Sequence, residues 1–114
     1  MIVEMRTYQI DRSRVAEYLE QYTLHGQKIQ TGHLGPLLGC FSAETGSLNE
    51  VIFLWAFISY DERLKKHERL SLDPRWKAYV DLSQPLVVSQ ESRLLTPAVA
   101  PIPLHPHFDC AFGG

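Results

Sequence analysis

The sequence predicts an α+β domain built on a four-stranded antiparallel sheet in the order β-α-β-β-α-β, with a second copy of the chain covering the sheet's free face. The first observation behind this is Val51 to Ile58, eight consecutive apolar residues rich in β-branched and aromatic types. The run is too short for a convincing helix, and its composition is that of a strand buried on both faces. The chain's own helices cover one face of such a sheet, so a second apolar face calls for a partner. The second observation is the alternation of strand-like and helix-like periods along the chain. The third is the cap and breaker chemistry that separates them.

Ile2 to Ile10 reads as the first strand, with Ile2, Glu4, Arg6, Tyr8 and Ile10 in one phase and Val3, Met5, Thr7 and Gln9 in the other. Asp11 and Ser13 offer N-cap oxygens to a helix from about Arg12 to about Gln30, in which Val15, Tyr18, Leu19, Tyr22 and Ile29 recur at helical spacing. Gly26 weakens its last turn, and Thr31-Gly-His-Leu-Gly-Pro-Leu37 ends it. Leu37 to Glu44 is a second strand, and Thr45-Gly-Ser-Leu-Asn49 turns it into the apolar third. Ser59-Tyr-Asp-Glu62 has capping-box spacing and starts a second helix. Its residues Arg63, Lys65, Lys66, His67, Glu68 and Arg69 read as a solvated face of mixed sign. Asp73-Pro74 breaks that helix and starts a short one carrying Trp76, Tyr79, Val80 and Leu82. Beyond Pro85, Leu86 to Leu95 alternates as a fourth strand. Residues 1–96 thus make the domain. Residues 97–114 carry Pro97, Pro101, Pro103 and Pro106 and form a tail that cannot be regular structure. The order is ferredoxin-like, with the first and third strands central. Two such sheets face to face form a dimeric α/β barrel.

Composition narrows the function classes. A chain of 114 residues buries a core without metals or disulfides. A formal net charge of −2 gives no electrostatic case for nucleic acid or an anionic membrane surface. No leader pattern opens the chain, and no apolar stretch approaches the roughly 20 residues that span a bilayer. Cys40 and Cys110 make no Cys-x-x-Cys pair, so a reduced cytoplasmic setting without membrane insertion is expected. Nucleophile elbows and phosphate loops are absent. His25, His33 and His67 carry no haem motif, and His105-Pro-His107 has no carboxylate or thiol cluster fixed nearby, so neither a cofactor nor a metal site is expected.

Several words then recur in a fixed order: Glu4-Met-Arg-Thr-Tyr8, His33-Leu-Gly35, Leu48-Asn-Glu-Val51 leading into Leu54-Trp55, Trp76-x-x-Tyr79 and Ser89-Gln-Glu-Ser-Arg-Leu-Leu-Thr-Pro97. With them the chain resembles the NIPSNAP family, in its short, bacterial-type, single-domain form. The resemblance implies a dimeric α/β barrel and names no reaction. Many relatives read His-Leu-Trp-x-Tyr in the third strand, where this chain has Phe53-Leu-Trp55-Ala-Phe57. Both polar handles are gone, so the resemblance carries no histidine ligand or base onto this strand.

The candidate catalytic residues are Arg6, Tyr8 and Glu91. Arg6 and Tyr8 share a phase, and Glu91 lies on the strand flanking Arg6, so an Arg6–Glu91 ion pair is expected. As a structural pair it fixes register; in a reaction Arg6 holds a carboxylate or enolate and Glu91 moves a proton. The candidate ligand-binding residues are Asn49, Phe53, Trp55, Phe57, Trp76 and Tyr79. The aromatic set either lines a pocket for a small apolar or aromatic ligand or packs the core and a dimer interface. Asn49 either holds a carbonyl or caps the hairpin turn. Two classes of function follow: a homodimeric small-molecule-binding or scaffold protein, and a small cofactor-independent monooxygenase or isomerase with a pocket in each protomer.

Overall fold

A computed structural model of the chain describes residues 1–99. Its elements are β1 (Ile2–Ile10), α1 (Val15–Gln21), a π-helical turn (Tyr22–Gly26), α2 (Gln27–Leu34), β2 (Leu37–Ser42), β3 (Glu50–Phe57), α3 (Tyr60–Leu72), α4 (Pro74–Ser83) and β4 (Val87–Leu95). The strands form one antiparallel sheet in the order β2-β3-β1-β4, with β1 and β3 central as the ferredoxin-like pattern requires. From residue 100 on, the proline-rich tail and its His105-Pro-His107 lie outside the described residues. Among the described residues no helix is long and apolar enough to cross a membrane.

The alternation along β3 decides the layering. Val51, Phe53, Trp55 and Phe57 are buried beneath the helices, whereas Glu50, Ile52, Leu54 and Ala56 are only half-buried on the other face. In β1 the even positions take the helix side, because Glu4 stands across from Trp55, Arg6 from Phe53 and Tyr8 from Val51. The core on that side joins Ile2, Ile10, Tyr18, Tyr22, Leu34, Leu70, Tyr79 and Leu86 to the four β3 residues.

Two helix starts follow the sequence and one does not. Ser59 caps α3 by accepting from the Glu62 N–H at 3.2 Å, and Glu62 reaches back to the Ile58 N–H. Asp73 caps α4 with Pro74 at its first position. At α1 neither Asp11 nor Ser13 supplies a side-chain cap. Arg14 holds that position with its N–H on the Asp11 carbonyl, and Ser13 is left-handed at φ 64°. The first helix also outruns its expected end. Its ladder widens into the π turn at Tyr22–Gly26 and resumes through Thr31-Gly-His-Leu34, stopping where Gly35 takes φ 92°. Gly26 therefore serves packing rather than termination. A Cβ there would lie 2.7–2.9 Å from ring carbons of Tyr79.

The expected Arg6–Glu91 pair does not form. Ser92 stands across from Arg6, while Glu91 stands across from Thr7, exposed on the opposite sheet face. A register irregularity where Gln9 and Ile10 meet β4 sets this phase, and one residue of slip sends every side chain to the other face.

Candidate functional site

Two connected features occupy the helix side of the sheet. The first is a charged cluster around Glu4, whose side chain is fully buried. Its Oε2 accepts from Arg6 Nη1 at 3.1 Å, Arg63 Nη2 at 2.8 Å and Ser92 Oγ at 2.7 Å, and its Oε1 lies 2.7 Å from His67 Nε2. Burial alone would raise the Glu4 pKa, but the bonds from His67, Arg63 and Ser92 outweigh it and hold the carboxyl well below the ordinary range. An ionised carboxylate only accepts, so His67 Nε2 carries the proton of that bond. Arg6 spends its Nε on Tyr8 Oη at 3.0 Å.

This cluster corrects the solvated-face reading at Arg63 and His67, whereas Lys65, Glu68 and Arg69 stand exposed as expected. Arg63 and His67 sit one helical turn apart and point inward, with buried Leu70 a further turn along. That i, i+4, i+7 spacing was the available signal. The partner of Arg6 is Glu4, two residues earlier on the same face, where Glu91 was expected.

The second feature is a cavity of about 290 Å³ between the sheet and the first and last helices. Tyr8 and Phe53 form its floor, and Tyr18, Tyr22 and Gln30 line it from the first helix. Trp76, Tyr79, Val80 and Ser83 come from α4, and Gln84 with Val87 to Gln90 completes the wall. The rings pack edge to face or tilted, with centroids 4.9 Å apart for Tyr22–Phe53, 5.1 Å for Trp76–Tyr79 and 5.3 Å for Tyr8–Phe53. Tyr22 Oη donates to Gln30 Oε1 at 2.6 Å. Burial pushes the Tyr18, Tyr22 and Tyr79 hydroxyls above the usual phenol value, so all three remain protonated donors at neutral pH. The Tyr79 hydroxyl sits near those of Tyr18 and Ser83, yet among the described residues it has no hydrogen-bond partner of sound geometry.

The candidate residues therefore divide. Tyr8, Phe53, Trp76 and Tyr79 line the cavity together. Trp55 and Phe57 belong to the core, with Phe57 against the His67 ring at 5.9 Å, and neither lines the cavity. Asn49 latches the strand ends, its Nδ2 donating to the Ile10 carbonyl and its own carbonyl accepting from the Ile10 N–H, both at 2.8 Å. Among the described residues no group of His, Cys, Asp and Glu could hold a metal ion.

A ferredoxin-like sheet with a phenol-lined cavity beneath its helices defines the class of the protein, and comparison with known proteins narrows it. The NIPSNAP family model matches residues 3–101. An uncharacterized NIPSNAP domain protein from Burkholderia xenovorans is 41% identical over 90% of this chain and 100% of its own, with a TM-score of 0.85. A NIPSNAP family protein of unknown function from Agrobacterium tumefaciens is 37% identical over 86% of this chain and 88% of its own, at 0.84. The chain belongs to the NIPSNAP family. A putative antibiotic biosynthesis monooxygenase from Nitrosomonas europaea shares the fold, with a TM-score of 0.64 at 7% identity over 87% of this chain and 100% of its own. No curated protein sequence matches the chain.

Proposed function

We propose that the protein is a homodimeric small-molecule-binding protein of the cytoplasm, with one ligand in the phenol-lined cavity of each protomer. The cavity carries this reading. Its volume falls at the small end of ligand pockets, which run from roughly 300 to 1,000 Å³, and it combines apolar ring faces with a few convergent polar groups. Among the described residues exposed Cys40 has no disulfide partner, in keeping with a reducing compartment.

The second copy is argued from the open sheet face. An antiparallel sheet with a solvated face alternates apolar and polar residues, yet here Val3, Met5, Ile52, Leu54 and Ala56 occupy the outward phase of the two central strands. Phe41 extends that surface on β2. Glu91 and Arg93 on β4 give it a charged rim. A partner sheet removes the apolar strip from water and leaves the helix-side cavity free. The enzymatic alternative, a cofactor-independent monooxygenase or isomerase, loses its proton-transfer pair, because Arg6 and Glu91 lie on opposite faces.

Light scattering at micromolar concentration tests the assembly: twice the chain mass is expected, with Leu54→Arg reduced to a monomer, and a monomeric parent overturns it. A thermal-shift screen of small aromatic compounds tests the cavity, since a ligand that binds only the folded chain raises its melting temperature. No shift from any compound overturns the binding reading.

A further inference from the structure

We infer that the cavity's ligand is an electrically neutral, compact ring compound rather than an acid or an amine. This rests on the binding reading above and names the chemistry that the site recognises.

The described lining contains no Asp, Glu, Lys, Arg or His. Its polar groups are phenols, amides and alcohols, all uncharged. Arg6 reaches the lining only through Tyr8, and its charge is already committed to Glu4 at 3.1 Å while its Nε is committed to Tyr8 Oη at 3.0 Å. A carboxylate or ammonium entering this space would leave water without a counter-ion, the costliest way to bury a charge. A neutral ring avoids that cost and replaces water against the faces of Phe53, Tyr22 and Trp76.

The Tyr79 hydroxyl oxygen stands beside those of Tyr18 and Ser83 and exposes almost no surface, so it offers a ligand in the cavity no donor. At 290 Å³ the cavity has the volume of about ten waters, which suits a bicyclic ring.

The test uses the full-length chain and compounds of matched ring size: 1-tetralone as neutral ketone, tetralin as the same skeleton without the carbonyl, 1-naphthoate as anion and 1-naphthylmethylammonium as cation. Calorimetric titration is expected to show one 1-tetralone per protomer, with both ions bound at least about tenfold more weakly. Equal or tighter cavity binding of either ion overturns the neutrality inference while the binding reading stands. If 1-tetralone and tetralin both fail to bind, the inference falls together with the reading beneath it.

Discussion

Replacing Glu4 by glutamine keeps the shape of the side chain and removes the one negative charge on which Arg6, Arg63 and His67 converge. Breaking a buried ion pair from one side costs about 3–5 kcal/mol, because the remaining charge is stranded. The stranded groups here keep 21%, 18% and 24% of their side-chain exposure, so water restores part of their solvation. Discounting for that screening leaves about 2–4 kcal/mol for Glu4→Gln. That is a large share of the roughly 5–15 kcal/mol by which a domain is stable. At roughly 4 °C per kcal/mol for a domain of this size, the melting temperature drops by roughly 8–16 °C. Urea denaturation at fixed protein concentration measures the free energy. Arg63→Met supplies a double-mutant cycle, in which the two changes couple by at least about 1 kcal/mol because they share a hydrogen bond. A loss below about 1 kcal/mol with no coupling would refute the claim that this carboxylate organises the β1–α3 contact.

Three further outcomes follow from the same geometry. Because the folded Glu4 carboxyl titrates below its ordinary value of 4.5, its contribution is complete above that pH and is lost as acid protonates the folded form. Stability should therefore fall below about pH 4.5, and less steeply in Glu4→Gln; equal acid slopes in the two proteins argue against it. Gly26→Ala places a methyl 2.7–2.9 Å from the Tyr79 ring, an overpacking cost of about 1–3 kcal/mol that exceeds the helix-propensity gain, and near-UV circular dichroism should report the displaced tyrosine. Asn49→Ala frees the Ile10 carbonyl from its 2.8 Å bond and should cost about 1 kcal/mol in denaturation while leaving ligand affinity untouched; a loss of affinity instead would restore Asn49 to the binding site.

Much of the scaffold was legible because local chemistry and global fold agree. The β3 run, the Ser59 capping box and the Asp73-Pro74 restart each specify their element within a few residues, and each stands where it was read. The π turn was not legible, since the side-chain pattern of Tyr22 and Ile29 is compatible with an ordinary helix until Tyr79 packs onto Gly26. The Arg6–Glu91 expectation failed at a single residue of register, set by the irregularity between β1 and β4, which no pattern within β4 encodes. His67 and Arg63 were hidden among the α3 charges because composition suggested a wet face, whereas their spacing with Leu70 pointed inward. The cavity set was read as one aromatic group. The sheet alternation places Phe53, Trp55 and Phe57 on a single face, and only the positions of the helices above them separate the cavity-lining ring from the two core rings.

Aromatic proton–carbon NMR spectra recorded while 1-tetralone is titrated into the protein test the central claim most directly. Ligand in the phenol-lined cavity shifts the ring signals of Tyr8, Tyr18, Tyr22, Phe53, Trp76 and Tyr79 together and leaves those of Trp55 and Phe57 in place. Absent shifts, or shifts confined to Phe41 on the open sheet face, contradict it.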